Sequence, residues 1–103
     1  MKKKINIPKI SVLIRAFNES KWINICLKKI SEQSIKPLEI IVVDNKSNDG
    51  TVEIIKKFYK KVKVYKYNQN YAPGKMLNFS MSKCKGDYVL VISAHCIPCD
   101  NFL

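Results

Sequence analysis

The sequence predicts an α/β fold, a doubly wound and mainly parallel sheet with flanking helices. Three observations carry that prediction. Four short strand-like runs, ISVLI at 10–14, IIVV at 40–43, VKVYKY at 62–67 and YVLVI at 88–92, are spread along the 103 residues. Between them lie three stretches whose apolar residues recur at helical spacing. Three of the strands stop abruptly in polar residues: Arg15 to Glu19, Asp44 to Asp49, and Ser93 to His95. Strands that alternate with helices pair in parallel through right-handed crossovers, and that brings these three strand ends to one rim.

Taken in order, residues 1–8 form a basic N-terminal tail. The first strand, 10–14, ends at Arg15-Ala16-Phe17-Asn18-Glu19. Asn18 or Ser20 can cap the helix that follows, with Glu19 near its positive end. Trp22, Ile23, Cys26, Leu27 and Ile30 then recur at helical spacing, to about Gln33. Pro37 marks a loop. The stretch Glu39 to Thr51, EIIVVDNKSNDGT, is the centre of the chain. Its β-branched run suits a strand buried on both faces. Asp44 stands at its carboxyl end, where open α/β sheets bind ligands, and Ser47, Asn48, Asp49 and Gly50 supply turn chemistry. A plain turn, with Asp44 and Asp49 satisfying local N–H groups, remains the alternative.

Val52, Ile55, Phe58 and Tyr59 mark a second amphipathic helix. The run 62–67 alternates with period two, a strand with one wet face. NQNYAPGK at 68–75 is loop by composition. A third helix is expected from Met76 to Lys83, with Met76, Leu77, Phe79 and Ser80 facing inward or toward a ligand and Gly86 as its C-cap. The run 88–92 reads as a fourth buried strand, stopping at Ser93-Ala94-His95.

Composition narrows the class. Hydrophobic content of 47% makes a globular chain of one domain at most. No apolar run approaches the roughly 20 residues of a membrane span, and no h-region follows the basic start. A cytoplasmic location is expected. Lys and Arg number 19 against 8 Asp and Glu, a net charge of +11. That invites a polyanion, yet Arg15 is the only arginine and the lysine pairs suit a solvated surface. The charge admits peripheral contact with the inner face of an anionic membrane rather than specific nucleic acid. Cys96 and Cys99 make a single C-x-x-C, half of what a structural zinc site commonly uses, and Cys26 sits in an apolar stripe. Reduced thiols are expected.

With these residues laid out, the chain resembles the family 2 glycosyltransferases. The matching pieces are SVLIRAFNES, a helix ending SEQS, EIIVVDNKSNDGT, an Asn-bearing helix ending KCKGDYVLVI, and the final IP. The resemblance implies a GT-A fold, a Rossmann-like nucleotide-binding half, and sugar transfer from a nucleotide-diphosphate donor to a glycan or lipid-linked acceptor, as in cell-surface glycan synthesis. It implies that Ala16, Phe17 and Asn18 border the base, that Asp44 and Asn45 stand where the family often has two acids, and that Asn78 lies beside the nucleotide. Lys75, after Gly74 near a helix start, suits a phosphate.

Family members usually end the fourth strand in Asp-x-Asp, whose carboxylates hold Mn²⁺ or Mg²⁺ on the diphosphate. Here those positions read Ser93-Ala94-His95. His95 is the candidate metal ligand, by imidazole to Mn²⁺ or directly to a phosphate. Residues 9–103 are expected to be the N-terminal part of a longer domain, incomplete as an enzyme on their own. The competing reading is a non-catalytic basic α/β module that binds nucleic acid or another polyanion.

Overall fold

The computed structural model describes residues 8–95. Most of the basic tail, the Cys96/Cys99 pair and Ile97-Pro98 lie outside the described residues. Seven elements alternate: β1 (Ile10–Ala16), α1 (Ile23–Ser31), β2 (Glu39–Asp44), α2 (Thr51–Phe58), β3 (Lys63–Lys66), α3 (Pro73–Met81) and β4 (Tyr88–Ser93). The strands form one sheet of order β3-β2-β1-β4. Every pairing is parallel, as the alternation requires.

Side chains on a strand alternate between faces, and the two cores follow that period. Val12, Ile14 and Ala16 of β1, with Val42 of β2, pack under Ile23, Cys26, Leu27 and Ile30 of α1 and Ile55 of α2. Leu13, Ile41 and Val43 point the other way, against Met76 of α3 and Tyr67. The first two crossovers thus cover one face and the third covers the opposite face. The chain reverses direction across the sheet between β1 and β4, which makes their carboxyl ends the topological switch point.

The amino ends of the strands are joined by a buried carboxylate. Glu39 accepts hydrogen bonds from the Ser11 hydroxyl at 2.6 Å, the Lys85 N–H at 2.6 Å and the Lys63 ammonium at 3.0 Å. Burial pushes this carboxyl up, but the Ser11, Lys85 and Lys63 donors outweigh it and hold the group below its usual range. Ser11 Oγ in turn accepts the Gly86 N–H at 2.8 Å. A Cβ at Gly86 would stand 2.6 Å from the Ser11 nitrogen. Gly86 is therefore required by close approach to β1, and the expected C-cap role is corrected: α3 ends at Met81 with Ser82 as its cap.

Other expectations shift for physical reasons. The α3 helix begins at Pro73, not Met76, because proline at the first helical position lacks only an N–H that would be unsatisfied there. On α3 Met76 and Ser80 are buried, while Leu77 is 37% exposed, so the inward face is narrower than expected. The β4 strand is only partly buried: Ile92 packs in the core, but among the described residues the strand pairs on one side only, and Tyr88 is 64% exposed. Neither Asn18 nor Ser20 caps α1, whose N-cap is Trp22 with no side-chain bond.

Candidate functional site

A crevice of about 470 Å³ opens at the switch point. Its walls come from the carboxyl ends of β1 (Arg15, Ala16), β2 (Asn45 just beyond) and β4 (Ser93), and from the segments that follow them. Phe17 and Tyr71, 59% and 61% exposed, are its two aromatic walls. Met76 adds an apolar surface from α3, and Glu19 and His95 complete the lining. The His95 Nδ1 and Glu19 Oε1 lie 3.1 Å apart, with the imidazole mostly exposed and the carboxylate mostly covered.

The loop after β1 is held in place by the turn after β2. The Asn18 N–H donates to Ser47 Oγ at 2.8 Å, and Asn48 N–H donates back to Asn18 Oδ1 at 2.8 Å. Glu19 N–H donates to Thr51 Oγ1 at 2.9 Å, and Ser20 N–H to Asp49 Oδ2 at 3.1 Å. Asn18 adopts φ +50°, a left-handed conformation that asparagine tolerates better than most residues. Asp49 also accepts from the Thr51 hydroxyl and N–H. Desolvation raises its carboxyl, but these hydrogen bonds from Thr51 and Ser20 prevail and bring it down to about 2. Gly50, at φ +94°, makes the turn into α2 that no side chain would adopt without strain.

The expected site residues therefore divide. Ala16, Phe17, Asn45, Ser93 and His95 come together around the crevice. Asn18, Asp44, Lys75 and Asn78 are not part of its lining. Asp44 is 2% exposed, and its carboxylate accepts the Ser47 N–H at 3.0 Å and the Ser47 hydroxyl at 2.5 Å. Asn18 is engaged in the loop contacts above. Lys75 and Asn78 lie exposed on α3.

Asn45 is buried and donates both amide hydrogens, to the carbonyls of Tyr67 at 2.9 Å and Gln69 at 3.1 Å. A carboxylate could make neither bond, which explains an amide where the family often has a second acid. With both hydrogens used, only the side-chain oxygen remains to accept a further hydrogen bond.

Three lining residues, Arg15, Glu19 and Tyr71, were not singled out from the sequence. Arg15 and Glu19 belonged to a polar strand end, and the lone arginine among lysines was the available signal. Met76 was expected to face inward or toward a ligand. Tyr71 sits in a loop with no periodic pattern to single it out.

The fold agrees with known proteins. The model of glycosyl transferase family 2 matches residues 11–103. A dolichyl N-acetyl-alpha-D-glucosaminyl phosphate 3-beta-D-2,3-diacetamido-2,3-dideoxy-beta-D-glucuronosyltransferase of Methanococcus voltae is 35% identical over 104 residues, covering 91% of this chain and 31% of its own length. The chain thus spans about a third of that relative. Among solved structures, Staphylococcus aureus TarS in complex with UDP-GlcNAc is similar with a TM-score of 0.75 and 30% identity, over 84% of this chain and 26% of that one. A glucosyl-3-phosphoglycerate synthase from Mycobacterium tuberculosis, solved with Mn²⁺, UDP and glucosyl-3-phosphoglycerate, aligns with a TM-score of 0.71 and 25% identity, over 84% and 33%. The parallel sheet, the crevice at its switch point and the family match over nearly the whole chain lead to one conclusion: this chain belongs to glycosyl transferase family 2.

Proposed function

We propose that this chain is the donor-binding part of a glycosyltransferase that moves a sugar from a nucleotide diphosphate to a glycan or lipid-linked acceptor in cell-surface glycan synthesis. One observation carries the reading: an aromatic-walled crevice at the switch point of a parallel sheet, in a chain of this family. Phe17 and Tyr71 offer flat apolar faces to a base, and the Asn45 oxygen accepts from a base N–H. The diphosphate then extends toward the end of β4, beside Ser93 and His95. In the transfer, the bond from the anomeric carbon to the diphosphate oxygen breaks and an acceptor hydroxyl oxygen takes its place. The hydroxyl proton leaves to a base, and the diphosphate carries away the electron pair and the negative charge.

The divalent cation implied by the family resemblance does not fit the described donors. Among the described residues no three His, Cys, Asp or Glu side chains come together. At the crevice one carboxylate and one imidazole are bonded to each other, and the crevice also carries a guanidinium. No step is routed through a metal here. His95 is proposed instead as a rim group facing the donor phosphates.

Among the described residues no helix is long and apolar enough to cross a membrane. Exposed Lys56, Lys57, Lys60 and Lys61, at the end of α2 and just beyond it, support peripheral contact with an anionic surface as part of the proposal.

Calorimetric titration with UDP-GlcNAc and GDP-mannose, with a generic RNA as competitor, tests the function. Saturable binding of one sugar nucleotide that RNA does not displace is expected. Strongly salt-dependent RNA binding with no sugar-nucleotide signal would favour the polyanion-binding module instead.

A further inference from the structure

We infer that Arg15 binds the donor's diphosphate and supplies, as a fixed guanidinium, the positive charge that a carboxylate-held cation supplies in the usual arrangement of this family. The inference rests on the donor-binding reading above and adds a residue and a charge mechanism to it.

Arg15 is the one arginine among 19 basic residues, and it is placed unlike the surface lysines. It lies on β1 itself, one residue before the strand's end, in register with Ser93 of β4 on one side and Val43 of β2 on the other. Strand alternation puts it on the same face as Leu13, the α3 side, so it lines the crevice beside Ser93 and His95. Its Nε is buried and, among the described residues, has no hydrogen-bond partner. A buried N–H without an acceptor is costly and calls for an explanation, which a ligand at this guanidinium would supply.

The chemistry of the neighbours fits an anion. Across the pairing, β4 presents Ser93, then Ala94 fully buried, then His95, with no carboxylate among them. The nearby acid, Glu19, has its Oε1 within hydrogen-bond distance of His95 Nδ1. A guanidinium presents parallel N–H donors that match two phosphate oxygens, a geometry a lysine cannot reproduce. Being carried by a strand rather than a loop, it is aimed before the ligand arrives. As the sugar leaves, negative charge grows on the diphosphate, and Arg15 is positioned to stabilise it.

The test is titration of the wild-type chain, Arg15→Lys and Arg15→Gln with UDP, GDP, uridine, guanosine and pyrophosphate, each in EDTA and in Mn²⁺. Circular dichroism melts establish that each variant is folded. Wild type should bind a nucleoside diphosphate equally well in EDTA and in Mn²⁺. Arg15→Gln should weaken that binding about 10- to 100-fold and leave the nucleoside unchanged. Arg15→Lys should fall between, because it keeps the charge and loses the fork, and its graded loss decides the matter should the Gln variant not fold. Equal diphosphate affinity in all three proteins would overturn the inference while leaving the donor reading intact. So would wild-type binding that collapses in EDTA and returns with Mn²⁺. Absence of binding to any nucleotide would remove the donor reading and this inference together.

Discussion

Replacing Asn45 by aspartate restores the acid that the family often carries, and the structure predicts that it harms this protein. Asn45 is 8% exposed, and its Nδ2 donates at 2.9 and 3.1 Å to the carbonyls of Tyr67 and Gln69. In Asn45→Asp both carbonyls lose their donor and face a carboxylate across the same gap. A buried group left without its partner costs about 1–3 kcal/mol, so two of them give about 2–6 kcal/mol at pH 7. In a chain of this size each kcal/mol lowers Tm by about 4–8 °C, so the variant should melt at least about 8 °C below wild type. The pH dependence has a definite sign. Facing two acceptors raises the new carboxyl's folded-state pKa above its unfolded value, and its protonated form can donate to one carbonyl again. Stability is therefore regained as pH falls and lost as pH rises through that raised pKa. Thermal melts of variant and wild type at pH 7 and pH 5, followed by far-UV circular dichroism, read this as a gap that narrows at pH 5. A variant that melts within about 2 °C of wild type at both pH values would show that Asn45 does not hold the 67–69 segment, and the reasoning would fail.

Two further predictions concern the ends of the sheet. The hydrogen bonds from Ser11, Lys85 and Lys63 outweigh burial and hold the folded-state carboxyl of Glu39 below its ordinary range, so its contribution is present above the unfolded pKa and is lost as pH falls through the lowered one. Glu39→Gln should cost about 1–2 kcal/mol at neutral pH and flatten the acid limb of the stability curve, as urea titrations from pH 7 to pH 3 would reveal; an unchanged acid limb would contradict it. At the opposite end, His95→Asp places a second carboxylate beside Glu19, whose Oε1 lies 3.1 Å from the present imidazole. That variant should gain Mn²⁺-dependent UDP affinity that wild type lacks, and calorimetry with and without Mn²⁺ should register no such gain if His95 lies outside the donor site.

The fold was legible because its signals are local. Runs such as IIVV, the helical spacing of Ile23, Cys26, Leu27 and Ile30, and the alternation of strand and helix leave few topologies open. The crevice was legible only in outline. Parallel strands send their polar ends to one rim, and the family resemblance picked out Ala16, Phe17, Asn45, Ser93 and His95 there, which line the crevice. The rule does not say which polar groups at a strand end turn toward the ligand and which bond to each other. Asp44 looks from sequence like a ligand-facing acid, yet Ser47, three residues on, occupies its carboxylate. Asn18 and Asp49 likewise bind neighbouring loops, contacts that depend on how β1 and β2 align. Tyr71 enters the crevice from a segment tethered by Asn45, a tertiary contact with no sequence period. Gly86 shows the same limit: its position suggested a helix cap, and its real constraint is the nearness of Ser11, 75 residues away.

The central claim is that a nucleotide diphosphate binds at the switch point between β1 and β4. Backbone amide NMR of the uniformly labelled chain, titrated with UDP-GlcNAc and GDP-mannose, tests it most directly. The account predicts saturable shift changes confined to Arg15–Glu19, Asn45, Tyr71, Met76 and Ser93–His95, produced by one of the two donors. Shifts concentrated instead on the lysines of α1 and α2, or no shifts with either donor, would contradict it.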